Sequence, residues 1–154
     1  MKGLRLLAAA VILGGLVSLV IGIVFIAQSV SVKALVTEGL AAEGQTSQLP
    51  KEGEEGYFNG NVVDTAKEAT AVAEYLLSHM HGDDGNDRYN TLERGSDERA
   101  SYLDGLTLVT SLNLAVAGFG VAQIALASGV VMIVSGLTLG GTGFAIYRLS
   151  GRTP

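Results

Sequence analysis

The chain has 154 residues, 48% of them hydrophobic and only 16% charged, with no cysteine and a formal net charge of -5. That length sets a ceiling of one modest domain, and the charged fraction lies well below the quarter or so that a surface facing water on all sides usually carries. The cysteine count removes disulfides, thiolate nucleophiles and thiolate-held metal clusters, and an acidic chain without a basic cluster argues against nucleic acid as a partner.

The charges are segregated. All 15 acidic residues fall between Glu38 and Asp104, whereas Met1 to Ala27 and Gly105 to Pro154 hold only Lys2, Arg5, Arg148 and Arg152. Uncharged stretches of about 20 residues are what a hydrocarbon core of about 30 Å selects. Leu6 to Ala27 supplies 22 uncharged residues, which predicts a transmembrane helix over residues 6–28 behind a cytoplasmic, basic N-terminus of residues 1–5. The competing reading is a secretory signal cleaved near Ala27-Gln28-Ser29; it fits less well, because the apolar region of such a signal runs only about 7 to 15 residues. Past the span, Val32, Leu35, Val36 and Leu40 keep helical spacing, so the helix continues until Gly39 or Gly44 ends it in the left-handed conformation that glycine adopts cheaply.

Residues 29–104 form the acidic, extracytoplasmic part. Glu43 to Asn61 is polar, glycine-rich and aperiodic, and reads as an irregular connector. Asp64 or Thr65 starts a helix reaching about Met80, with Thr65-x-x-Glu68 forming a capping box. Its face of Ala69, Val72, Leu76 and Met80, with Ala66 and Ala73, is expected to cover apolar surface near Leu106 and Leu112. The turn after it holds the chain's one metal-like group, His79, His81, Asp83, Asp84 and Asp87. An EF-hand loop fails there, because position 12 falls on Arg94 or Gly95 where a Glu is required. Two histidines at i and i+2 also diverge on a helix, so a solvated turn is the expectation and no cofactor is assigned. Ser96 or Asp97 then caps the last helix.

Residues 105–147 are 43 in a row without charge, closed by Arg148 in the tail of residues 148–154. As one helix they rise about 65 Å, roughly twice the hydrocarbon thickness. Either the part nearest Arg148 spans and the rest continues outside, or the run folds back near Ser128-Gly129 to give three spans. The first keeps both termini cytoplasmic and satisfies the positive-inside rule. Small residues recur every seven positions on both long segments: Ala8, Gly15, Gly22 and Ser29 on one, Ala115, Ala122, Gly129, Gly136 and Gly143 on the other. Such stripes suit a left-handed helix pair in which backbones approach closely. A second stripe, Ala10, Gly14, Ser18 and Gly22, suits a neighbouring subunit, and Asn113 and Gln123 are expected to hydrogen bond between helices.

Asp64-Thr65-Ala66, Ala73-Glu74-Tyr75-Leu76-x-x-His79, Tyr89, Arg99 and Leu112-x-x-Ala115-x-x-x-Phe119-Gly120-Val121, behind a hydrophobic N-terminal helix, together resemble a group of small two-span actinobacterial membrane proteins. The group often carries the label aromatic ring-opening dioxygenase. Here Asp84-Gly85-Asn86-Asp87-Arg88 stands where that group has a Gly-Gly-Lys turn before the tyrosine. The resemblance implies a membrane protein and supplies no activity, since an iron dioxygenase needs ligands such as two histidines and a carboxylate in a dry pocket.

The expected fold is therefore all-α: an integral membrane helical hairpin of two long helices with a small helical and irregular extracytoplasmic insertion. The expected role is a non-catalytic accessory or structural subunit of a larger membrane complex. The alternatives are a self-associating homo-oligomer forming a pore or transport element, and an extracytoplasmic metal-binding module. Expected partners are membrane lipid and either other membrane subunits or copies of the chain itself.

Overall fold

The computed structural model describes residues 2–48, 59–82 and 88–151. Five elements follow in order: α1 (Lys2–Ala42), β1 (Thr46–Gln48), β2 (Asn59–Val62), α2 (Ala66–Met80) and α3 (Asp97–Ser150). The fold is an all-α hairpin in which the two long apolar helices, α1 and α3, pack against each other. Both are long and apolar enough to cross a membrane. α3 runs unbroken through Ser128-Gly129, so the three-span reading has no turn on which to fold back. α1 is rich in Val and Ile, which are middling helix formers in water. In hydrocarbon a spanning segment must satisfy its own backbone, and a helix does so within one segment.

Each helix end has a local cause. At the end of α1, Gly44 takes φ 66°, while its N–H donates to Ala41 O and that of Gln45 to Leu40 O, at 3.0 and 2.8 Å. That pair of bonds is a Schellman cap, so Gly44 and not Gly39 is the terminator. α2 opens on the capping box: Glu68 N–H donates to Thr65 Oγ1 at 3.2 Å, and Thr65 N–H to Glu68 Oε2 at 3.2 Å. α3 opens on Ser96, whose hydroxyl accepts from Arg99 N–H at 3.2 Å.

The chain divides into two compact units. The first, drawn from Met1–Ser31 and Ala122–Pro154, is the antiparallel pairing of the N-terminal part of α1 with the C-terminal part of α3. The second, Val32–Val121, packs the end of α1, α2 and the start of α3 around a core of Leu40, Val63, Ala69, Val72, Ala73, Val109, Leu112, Ala115 and Phe119. Leu112 and Val63 are fully buried, each contributing roughly 1.5–3 kcal/mol. Leu112 is covered as expected, while Leu106 stays 37% exposed.

One difference from the sequence reading lies in the connector. Thr46–Gln48 and Asn59–Val62 pair as an antiparallel ladder, with Thr46 opposite Val62, Gln48 opposite Asn59 and a bulge between. Strands of three and four residues, with Val62 their one large apolar side chain, carry no apolar alternation, which is the signal by which a strand is legible.

Candidate functional site

In the first unit, contact is made by backbone. Ala8, Gly15, Gly22 and Ser29 of α1 are all buried, as are Ala122, Gly129, Gly136 and Gly143 of α3. The closeness is measured by what a methyl group would meet. A Cβ at Gly22 would lie 2.7 Å from Gly129 O, and one at Gly129 would lie 2.8 Å from Gly22 O. Gly15 and Gly136 are reciprocal in the same way, each Cβ position falling 2.7 Å from the other's carbonyl oxygen. A Cβ at Gly143 would meet Ile12 N at 3.0 Å and Ala8 O at 3.1 Å. Carbonyl oxygens this near the opposing Cα atoms permit weak Cα–H···O contacts as well as dispersion. Ala115, the fifth residue of the α3 stripe, is buried in the core of the second unit.

Two serines rivet the seam. Ser29 Oγ donates to Ala122 O at 2.7 Å, buried, and Ser18 Oγ donates to Met132 O at 2.8 Å. A hydroxyl aimed at a carbonyl that already accepts its own helical bond uses that oxygen's second lone pair. Among the described residues these are the interhelical hydrogen bonds of the unit, and they correct the expectation for Asn113 and Gln123. Both of those side chains are exposed: neither shares the face of Ala115 and Ala122 that turns inward. The sequence reading missed the role of Ser18, although its place three residues beyond Gly15 puts it on the flank of the stripe. The second small-residue stripe is also divided. Ser18 and Gly22 serve the hairpin itself, while Ala10 is exposed and Gly14 has nothing within 4 Å of its Cβ position.

The second unit uses side chains instead. Gly118 lies beneath Val36, whose Cγ2 is 2.7 Å from the Cβ position, and Gly105 lies beneath the flexible Met80 thioether. Lys33 Nζ reaches Asp64 Oδ2 at 3.3 Å, with both side chains about half exposed. Arg99 places its guanidinium 4.0 Å above the Tyr89 ring and donates to Leu92 O at 3.3 Å. Glu98 is held below the usual carboxylate range by its own backbone N–H and then by the Ser96 hydroxyl, a favourable arrangement at a helix N-terminus.

Of the metal candidates, Asp83, Asp84 and Asp87 lie outside the described residues. His79 is exposed, sits with its ring 4.2 Å from that of Tyr75 and places Nδ1 3.1 Å from Tyr75 O. His81 forms the C-cap of α2, its N–H donating to Leu77 O. Among the described residues no three His, Cys, Asp or Glu side chains converge. An open cleft of about 510 Å³ lies between the end of α2 and the start of α3, with Leu76, Met80 and Tyr102 as its apolar lining and His79, Asp97 and Glu98 at its rim.

The geometry defines a class: a helical hairpin whose long helices are joined through backbone approach and whose outer surface is apolar enough for lipid. No protein-family model, curated protein or solved structure matches the chain.

Proposed function

We propose that this protein is a non-catalytic accessory or structural subunit of a larger membrane protein complex, held in the cell membrane by two spans with both termini cytoplasmic. The observation that carries this reading is apolar surface beyond the reach of lipid. Counting about 20 residues inward from Arg5 and from Arg148 brings the hydrocarbon boundary to about residues 25 and 128. Leu35 and Leu114 lie well past those points and are 72% and 73% exposed. Val121 is also exposed. A lone chain in water gains nothing by presenting such residues, whereas a partner subunit that covers them does. Purification from native membranes in mild detergent, followed by intact-complex mass measurement, tests the reading. Stoichiometric co-purification of a different subunit is expected; recovery only as a free monomer would overturn it.

A second reading, a homo-oligomer acting as a pore or transport element, is favoured by Gly14, Gly120 and Gly141, whose Cβ positions meet nothing within 4 Å. Small outward residues let another copy approach closely. Crosslinking that yields a defined homo-oligomer, together with ion or solute flux from reconstituted protein, distinguishes it from the first. The orientation has its own test: both spans with cytoplasmic ends predict that the C-terminal tail resists protease added outside intact cells.

A further inference from the structure

We propose that the end of the hairpin carrying Arg5 and Arg148 binds the phosphate of a net-anionic phospholipid; this rests on the reading that the hairpin is embedded in a bilayer. The sequence of this unit contains Lys2, Arg5, Arg148 and Arg152 and not one Asp or Glu. No Asp or Glu side chain of the unit is therefore present to pair with Arg5 or Arg148. The two helices bring the basic ends together, since the Gly143 Cβ position lies against Ile12 and Ala8. Across the last turn, Arg5 Nη2 stands 3.7 Å from where a Cβ of Gly151 would be. There it faces the negative end of the α3 dipole. Arg148 holds its guanidinium 5.8 Å from the centre of the Phe144 ring, and both arginines are exposed.

Two unpaired guanidinium forks at one end of an apolar hairpin match phosphate, which accepts two parallel N–H bonds from each fork. Each Lys or Arg close to an anionic membrane surface adds to its attraction, and Arg5 and Arg148 both stand at this end. Choline headgroups contain the same phosphate, but a fixed ammonium cancels its charge, so discrimination falls on net charge. The acyl chains have a place beside the site: Leu6 and Leu149 are 76% and 63% exposed. This makes a lipid, and not free phosphate, the ligand.

The test uses the full chain purified in mild detergent and offered equimolar phosphatidylglycerol and phosphatidylcholine, with retained lipids read by native mass spectrometry. Wild type is expected to retain phosphatidylglycerol preferentially. Arg5→Gln or Arg148→Gln should lower that preference about five-fold each, and the double variant about thirty-fold, at roughly the free energy expected per basic residue near an anionic surface. Arg94→Gln, in the acidic unit, should leave it unchanged, and far-UV circular dichroism checks that each variant keeps wild-type helicity. Millimolar inorganic phosphate should not displace the lipid. Equal retention of the two lipids by wild type, an unchanged preference in the double variant, or displacement by inorganic phosphate would each overturn the proposal. Failure of the underlying reading looks different: the chain would be released from membranes by alkaline carbonate and remain dispersed without detergent.

Discussion

The two units hold the same pair of helices by opposite means. Where residues 2–31 meet residues 122–151, contact is glycine against carbonyl oxygen, with Ser29 and Ser18 as the polar fasteners. Where the chain is rich in charge, contact is Leu112, Phe119, Val63 and Leu40 against the apolar face of α2. On the proposed reading, with the first unit in lipid and the second in water, the difference follows from solvent. Lipid offers no gain for burying a leucine, so helices there associate by proximity, which only small residues allow. Water rewards burial by area, so the second unit recruits large side chains, an extra helix and its cap. The seven-residue phase of α3 persists throughout, with Gly143, Gly136 and Gly129 giving way to Ala122 and Ala115.

The largest effect that probes this contrast is in the core of the second unit. Leu112→Ala removes a fully buried side chain and should cost about 2–5 kcal/mol, read as loss of hydrogen-exchange protection in α2 before α1 residues 8–29. Next is Gly22→Ala, whose added methyl would sit 2.7 Å from a backbone oxygen that cannot swing aside. It should cost about 1–3 kcal/mol in detergent unfolding. Gly120→Ala sharpens the point by its sign: nothing lies within 4 Å of the new methyl, so a gain of about 0.5–1 kcal/mol from helix propensity is expected.

Thr65→Ala should cost about 0.5–2 kcal/mol through the lost cap. A double-mutant cycle with Glu68→Ala should give less than the sum, because the two side chains form one reciprocal box. The smallest effect is in pH. Glu98 has its folded value lowered, so its contribution to stability is present above the unfolded carboxylate value and is lost as pH falls through the lowered one. Glu98→Gln should flatten that acid limb slightly, and carboxyl chemical shifts against pH provide the check.

Charge segregation made the hairpin readable in the sequence, because a bilayer leaves few alternatives for runs such as Leu6 to Ala27. The caps at Thr65 and Ser96 were readable for a local reason: cap chemistry needs only residues three apart. Register between distant strands was hidden, since Thr46 opposite Val62 belongs to a short ladder without apolar alternation. The polar residues within α3 misled for a related reason. Asn113 and Gln123 suggest hydrogen bonding by type alone, but only position on the helix decides what a side chain reaches. Ser29 and Ser18 are smaller signals in better places. Periodicity named the buried glycines as candidates, whereas which glycine opposes which required three dimensions.

The antiparallel register of the two helices through a small-residue seam can be probed by paired cysteines, because the chain has none of its own. Ser29→Cys is combined with Ala122→Cys in one variant and with Gln123→Cys in another, and each is oxidised mildly in native membranes. Rapid intramolecular crosslinking of the first pair and little of the second is expected, because Ser29 meets Ala122 while Gln123 is exposed. Equal crosslinking of both pairs, or faster crosslinking through position 123, would contradict it.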